Sequence, residues 1–232
     1  MKVILSGATG FIGGEVLSQA LAHPAITSLV CLTRRALPEP ASSNPKIKVI
    51  TLTDFLTYTP ETLSQLDGAE SFIWAMGAPA HKAPSIEISR KVDIDYMLAA
   101  AEACTNSLAP PLKAQGKTFR FVLLGAMLAC RDQKKALWFM QTTRKLKGEA
   151  ENGLLALEEK GSNLEVTITR PGGVVAKDSL MPRLMVTATS SIKLDELAAV
   201  LINEAVAGAK GTRTMECDEL RNKGRALLEE SR

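Results

Sequence analysis

Short apolar runs alternate with helix-patterned stretches from one end of the sequence to the other. That order admits little besides an α/β domain with a mostly parallel sheet. The strand candidates are Lys2–Ser6, Ser28–Thr33, Ile47–Thr51, 69–76, Phe119–Leu124, 164–169 and 212–216. Several, such as Phe121-Val122-Leu123-Leu124, are apolar without a break, as strands covered on both faces require. The helix candidates are Phe11–Ala22, 86–104, 136–160, Leu194–Ala207 and 218–230. Two stretches read as surface loops: 36–46, which carries three prolines and two serines, and 109–117, which carries Pro110-Pro111. Alternation resumes after each, so neither marks a boundary. Residues 1–232 therefore read as one domain, long enough to bury a sizeable core. The expected architecture is a doubly wound parallel sheet, with 3-2-1-4-5-6 as the default strand order.

The first strand ends in Ser6-Gly7-Ala8-Thr9-Gly10-Phe11-Ile12-Gly13-Gly14, and an amphipathic helix follows at once. Each glycine has a physical reason: Gly7 permits a tight turn, Gly10 lets the backbone approach a pyrophosphate, and Gly13 lets the helix pack close to the strand. The helix N-terminus then offers unpaired N–H groups and partial positive charge to phosphate. A strand before the glycines and a helix after them make this a dinucleotide loop of the Rossmann type rather than a bare tight turn. A kinase-type phosphate loop is excluded, since no Gly-Lys-Ser/Thr follows, and no Gly-x-Ser-x-Gly elbow of a hydrolase occurs.

Composition removes other classes. The net charge is only +3, from 28 basic and 25 acidic residues, with no basic stripe, so no nucleic-acid partner is expected. Cys31, Cys104, Cys130 and Cys217 sit far apart and lack metal-ligand spacing, so they read as free core thiols and no metal is expected. The apolar stretch Val3-Ile4-Leu5 runs into glycine too soon for a signal peptide, and no later run is long enough to span a membrane. The expectation is a cytoplasmic protein acting on a small molecule, without a membrane partner.

The glycine loop resembles the GATGxxG loop of atypical and extended members of the short-chain dehydrogenase/reductase (SDR) superfamily. Further matches follow in order: Arg34-Arg35 after the second strand, Asp54-Phe55 after the third, Ala75-Met76-Gly77 after the fourth, Lys147-Gly148-Glu149-Ala150-Glu151 in a long helix, and Arg170-Pro171-Gly172-Gly173 after the sixth. The chain is short for an extended member, so the atypical group fits better. The resemblance implies that Gly7, Thr9, Gly10, Phe11 and Ile12 hold the pyrophosphate. It also implies that Asp54 and Phe55 lie against the adenine, that Ala75, Met76 and Gly77 line the middle of the cofactor, and that Lys147, Pro171, Gly172 and Gly173 flank its nicotinamide end. The end of the second strand, Cys31-Leu32-Thr33-Arg34-Arg35, has no acid to bond a free ribose 2′-hydroxyl. Two guanidinium groups suit a 2′-phosphate, so the cofactor expected is NADP(H). Helices 86–104 and 136–160 match those that pair SDR dimers, and a homodimer is possible on that ground.

The resemblance breaks at catalysis. Reductases of this superfamily use a Ser, a Tyr and a Lys, the last two as YxxxK; the phenol gives a proton to the carbonyl oxygen as hydride arrives. The two tyrosines, Tyr58 and Tyr96, are followed four residues later by Thr62 and Ala100. Lys147 matches the lysine of the motif, which puts Thr143 where tyrosine should be. The fifth strand ends Leu124-Gly125-Ala126 in place of a serine. A threonine hydroxyl is a shorter and much poorer acid than a phenol. Three readings stay open: an NADP(H)-dependent reduction of a small carbonyl or enone with another proton donor, a non-redox isomerase or cyclase on the same scaffold, and a non-enzymatic NADP(H)-binding regulator. The catalytic candidates are Lys147, Thr143, His81 in the loop after the fourth strand, and Asp132 after the fifth. Cys130 and Arg131 are weaker candidates, Trp138, Phe139 and Met140 are candidates for an apolar pocket or for core, and His23 reads as structural. The stretch 131–151 is similar to that of small fungal members of the group.

Overall fold

The computed structural model describes residues 1–37, 39, 41–77, 85–179, 183–209 and 213–230. Seven strands form one sheet in the order β3-β2-β1-β4-β5-β6-β9, every neighbouring pair parallel. They are β1 (Lys2–Ser6), β2 (Ser28–Thr33), β3 (Ile47–Thr51), β4 (Ala69–Trp74), β5 (Phe119–Leu124), β6 (Leu164–Arg170) and β9 (Arg213–Glu216). The doubly wound order expected from the alternation is present, with a seventh strand added beyond β6. A separate parallel pair, β7 (Gly173–Val175) and β8 (Ser191–Lys193), stands beside it.

Side chains alternate between two cores, as strand geometry demands. Ile4, Phe72, Trp74 and Phe121 face one layer, with Met97 and Ala101 of α4 (Tyr96–Ser107) and Leu154 of α6 (Gln141–Glu159). Val3, Leu5, Ile73 and Val122 face the other, with Val16 and Leu17 of α1 (Phe11–Ala22) and Leu197, Val200 and Leu201 of α8 (Leu194–Ala207). Each such side chain, fully buried, contributes roughly 1.5–3 kcal/mol. This two-sided burial is why the strands read as unbroken apolar runs. The four cysteines are buried and free, and burial pushes the Cys31 thiol up to about 12, a value at which it is inert. Among the described residues no helix is long and apolar enough to cross a membrane, and no cluster of ligating side chains could hold a metal ion.

Several boundaries differ from the sequence reading. Strand 69–76 stops at Trp74, and the next three residues leave the sheet to pass over the glycine loop. Helix 86–104 is interrupted. A short α3 (Ile86–Arg90) runs into a π-helical turn, Lys91–Asp95, before α4. Helix 136–160 begins only at Gln141, because Met140 takes a left-handed conformation, φ 47°, and ends the loop before it. Segment 109–117 is not a loop throughout. Its residues Ala109–Ala114 form α5, whose prolines fall in the first turn, where no N–H is needed. The sequence reading also missed α2 (Pro60–Leu66), capped by the Thr59 hydroxyl, and α7 (Arg183–Ala188); both are too short to show a helical period. The C-terminal helix, α9, spans Cys217–Glu230.

Candidate functional site

A groove in two chambers runs along the carboxyl ends of the strands, where open α/β sheets place their ligands. The first chamber, about 210 Å³, is lined by Gly7, Thr9, Gly10, Arg34, Arg35 and Phe55 among others. The second, about 410 Å³, runs past Phe11, Ile12, Gly125, Ala126, Lys147, Pro171 and Gly172. Gly10, Ala75, Met76 and Gly77 line both chambers, so the two adjoin at these residues.

The glycine loop is shaped by contacts that exclude side chains. Gly7 has φ +78°, and a Cβ there would lie 2.4 Å from the Ala75 carbonyl oxygen. A Cβ at Gly13 would lie 2.1 Å from the Gly7 carbonyl oxygen, so α1 sits directly on the turn. Gly10 caps α1 without any side chain, and its own N–H donates to the Gly7 carbonyl at 2.9 Å. The next N–H groups of the helix are therefore left for whatever enters the groove. At the outer end of the first chamber Arg34 and Arg35 are exposed, and neither has an ion-pair partner among the described residues. Phe55 is buried against Trp74 and Tyr96, at centroid distances of 6.1 and 5.7 Å, and presents a fixed apolar wall. Asp54 departs from its expected place. Its carboxylate accepts the Leu56 N–H at 3.1 Å, closing a turn, and does not line the groove.

At the inner end Lys147 meets a partner that the sequence reading missed. Its Nζ lies 3.0 Å from Oδ1 of Asp93, with side chains 19% and 4% exposed respectively. Asp93 belongs to the π-helical turn. A Cβ added to Gly77 would come within 3.3 Å of Asp93 Oδ1 and 3.4 Å of Lys147 Nζ, so the pair abuts the waist of the groove. A signal existed in the sequence: Asp93 extends the buried stripe of Met97, Ala100, Ala101 and Cys104 by one more turn, an acid where an apolar residue was due.

The other candidates scatter. Thr143, one turn before Lys147, lines a separate cavity of about 210 Å³ with Ser85, Ile86, Ser89, Asp93, Thr142 and Leu146. Asp132 must be withdrawn as a catalytic candidate. Its Oδ1 accepts the N–H groups of Lys134 and Lys135 at 2.9 and 3.2 Å, and it lines no part of the groove. Arg131 is structural: with Arg170 it grips the buried Glu151, at 2.7 and 2.8 Å, tying the ends of β5 and β6 to α6. Trp138, Phe139 and Met140 are neither core nor groove; they lie in the loop before α6, with Trp138 95% exposed. Pro171 and Gly172 line the second chamber, but Gly173 does not; it opens β7 and faces Ser191. His23 is local, its Nδ1 accepting the Ala25 N–H at 3.2 Å. His81 lies outside the described residues.

The fold has counterparts among solved structures. MoeE5 in complex with UDP-glucose and NAD superposes with a TM-score of 0.67, at 15% identity, over 99% of this chain and 82% of that one. Yeast methylglyoxal/isovaleraldehyde reductase Gre2 complexed with NADPH gives 0.70, at 15% identity, over 93% and 78%. These likenesses show a shared fold, the doubly wound α/β sheet described above. No protein-family model matches the chain. Among curated proteins, this chain is 31% identical over 173 residues to "Protein fmp52, mitochondrial" of Emericella nidulans, covering 74% of this chain and 66% of that protein. It is 29% identical over 181 residues to "Leucinostatins biosynthesis cluster protein T" of Purpureocillium lilacinum, covering 78% and 60%. The chain thus spans less than two thirds of the length of these two relatives. The expectation of a cytoplasmic location is overturned by these names, since the similar proteins of Emericella nidulans and Candida albicans are both called mitochondrial. Unpaired cysteines report a reducing environment and do not distinguish one such compartment from another.

If Thr143 only spaces Lys147 from the helix start, Thr143→Val should leave turnover unchanged and shift stability by no more than about 0.5 kcal/mol, because it keeps shape and removes only a hydroxyl. A large fall in turnover, measured with full cofactor affinity retained, would make that hydroxyl catalytic.

Proposed function

We propose that this chain is an NADP(H)-dependent oxidoreductase that reduces a small carbonyl or enone compound without the Ser-Tyr-Lys set of its superfamily. The observation that carries the reading is the two-chambered groove, with two arginines at one end that have no ion-pair partner among the described residues and the Asp93–Lys147 pair at the other. The residues fit the cofactor class. A side chain at Gly7 or Gly13 would clash with the backbone that shapes the loop, the start of α1 has no capping side chain, and Arg34 and Arg35 supply charge for a 2′-phosphate. When bound, the reduced cofactor supplies hydride. Gly7–Gly13 would hold the diphosphate, Phe55 would wall the adenine end, and Lys147 would reach the ribose at the nicotinamide end. The loops after β4, β5 and β6 would enclose the substrate side of this one domain.

Cofactor choice is the first test. Binding of NADPH and NADH is compared by calorimetry for the natural protein and for Arg34→Ala plus Arg35→Ala. Loss of one good charge-assisted contact should cost roughly 1.5–3 kcal/mol for NADPH and little for NADH. Equal affinity for the two cofactors in the natural protein would defeat the preference. A second reading draws on the second chamber itself, whose described lining carries no hydroxyl side chain. In it the cofactor is held as a structural wall for a non-redox isomerase or cyclase, or merely sensed. Following NADPH absorbance together with substrate loss separates them, since only reduction consumes both.

A further inference from the structure

We propose that Lys147 is itself the proton donor of this site, and that Asp93 is a positioning residue holding its ammonium at the waist of the groove. The inference rests on the reductase reading above and deepens it.

The described lining of the second chamber consists of glycines, apolar side chains and one lysine; Lys147 is the single side chain there with an exchangeable proton. Thr143 opens onto a different cavity, and Asp132 is spent on a turn. A phenol in this superfamily would stand between lysine and substrate. With no tyrosine on α6, nothing among the described residues of that chamber intervenes.

Lysine is a flexible point charge, and a general acid must be held within hydrogen-bond reach of the atom it protonates. Asp93 supplies that restraint. It reaches Lys147 from the opposite helix at 3.0 Å, and its carboxylate is almost fully buried, so the anchor is fixed. The lysine side chain keeps some exposure, so its free N–H bonds are left for the groove. The π-helical turn that carries Asp93 interrupts an otherwise continuous helix; such turns concentrate at functional sites, and an ordinary structural ion pair does not require one. Asp93 also lines the hydroxyl-bearing cavity of Thr143, so it stands between that cavity and the groove.

The substrate carbonyl carbon gains hydride from the reduced nicotinamide dinucleotide, and the C=O π pair moves to oxygen. One N–H bond of the Lys147 ammonium breaks, and its proton forms the O–H of the product alcohol. Lys147 is left as a neutral amine and takes a proton from water; the dinucleotide leaves oxidised.

The experiment uses the full chain with NADPH and a panel of aldehydes, ketones and enones, alongside Lys147→Arg, Asp93→Asn and Asp93→Glu. Arginine keeps the cation but cannot give up its proton. Lys147→Arg should therefore retain NADPH affinity by calorimetry and lose about 10²–10⁴-fold in single-turnover rate, the range of a general acid. Asp93→Asn should lower kcat with KM kept, and Asp93→Glu should recover part of the loss. A readout independent of turnover is acylation of Lys147, followed by mass spectrometry. NADPH should slow it in the natural protein, and Asp93→Asn should speed it severalfold by freeing the amine. An active natural protein whose rate survives Lys147→Arg overturns the proton-donor role and leaves the reductase reading standing. Unchanged kcat and unchanged acylation in Asp93→Asn overturn the positioning role. A natural protein that binds NADPH but consumes none with any member of the panel overturns the reductase reading, and the proton step with it.

Discussion

Replacing Gly10 with valine should leave a folded protein that no longer binds a nicotinamide dinucleotide. Gly10 is exposed, with φ −86° and ψ 171°, an extended conformation that a β-branched residue adopts freely. A Cβ there would touch only the Gly7 carbonyl oxygen, at 3.2 Å, so the turn gives by a few tenths of an ångström. The isopropyl group would instead stand where the two chambers meet, over the start of α1. A diphosphate kept from that helix end loses at least two charge-assisted hydrogen bonds, each worth about 1.5–3 kcal/mol. The combined loss of roughly 3–6 kcal/mol weakens binding about 10²–10⁴-fold. Calorimetry with NADPH reads this directly, and circular dichroism with thermal melting checks the fold. Full affinity in a folded Gly10→Val protein would remove the groove as the cofactor site.

Gly148→Ala should have the opposite signature, a large loss of stability from a change that helix propensity alone would favour. Alanine in a helix interior gains roughly 0.8–1.0 kcal/mol over glycine. At Gly148 a Cβ would lie 1.8 Å from the carbonyl oxygen of Cys130 and 2.1 Å from its carbon. That carbonyl cannot simply retreat, because the Cys130 N–H donates to the Arg144 carbonyl at 2.8 Å and Arg131 next to it is locked onto Glu151. Overpacking typically costs 1–3 kcal/mol and more where backbone must move; a clash this deep against a fixed carbonyl costs about 3–4 kcal/mol, which after the propensity gain leaves a net loss of about 2–3 kcal/mol. For a domain of this size that is a fall in Tm of roughly 4–12 °C. A Tm that holds or rises would show that the loop after β5 yields, and with it that Lys147, the neighbouring residue, is less rigidly placed than described.

What could be foreseen divides along the range of the interactions involved. Strands such as Ser28–Thr33 and Phe119–Leu124 have the ends expected of them, because two-sided burial writes an unbroken apolar run into the sequence. The glycine loop was legible for a related reason: Gly10 and Gly13 answer to the Gly7 carbonyl a few residues away, and Gly7 to the positive φ of its own turn, although its close approach to Ala75 is long-range. Asp93 was not, since its meaning depends on Lys147 from a distant helix and on a π-helical turn with no compositional mark. Asp132 and Asp54 were misplaced for the converse reason. A carboxylate in a loop after a strand resembles a site residue, yet both spend their oxygen on N–H groups two residues away, the ordinary use of Asp in turns. Trp138 is exposed because α6 begins later than its apolar pattern suggested, at the left-handed Met140.

The position of β1 bears on how the chain is assembled. It lies inside the sheet, paired with β2 on one edge and with β4 on the other, and four of its five residues are buried. During synthesis β2 and β3 emerge soon after it, but the second edge of Lys2–Ser6 stays open until Ala69–Trp74 is made. In that interval an apolar strand presents unpaired N–H and C=O groups, the template on which nascent chains join edge to edge. Closing it requires a parallel pairing across a long loop, an intrinsically slow step. An aggregation-exposed interval of synthesis therefore falls before β4, the longest wait that any inner strand edge of this sheet has for its partner.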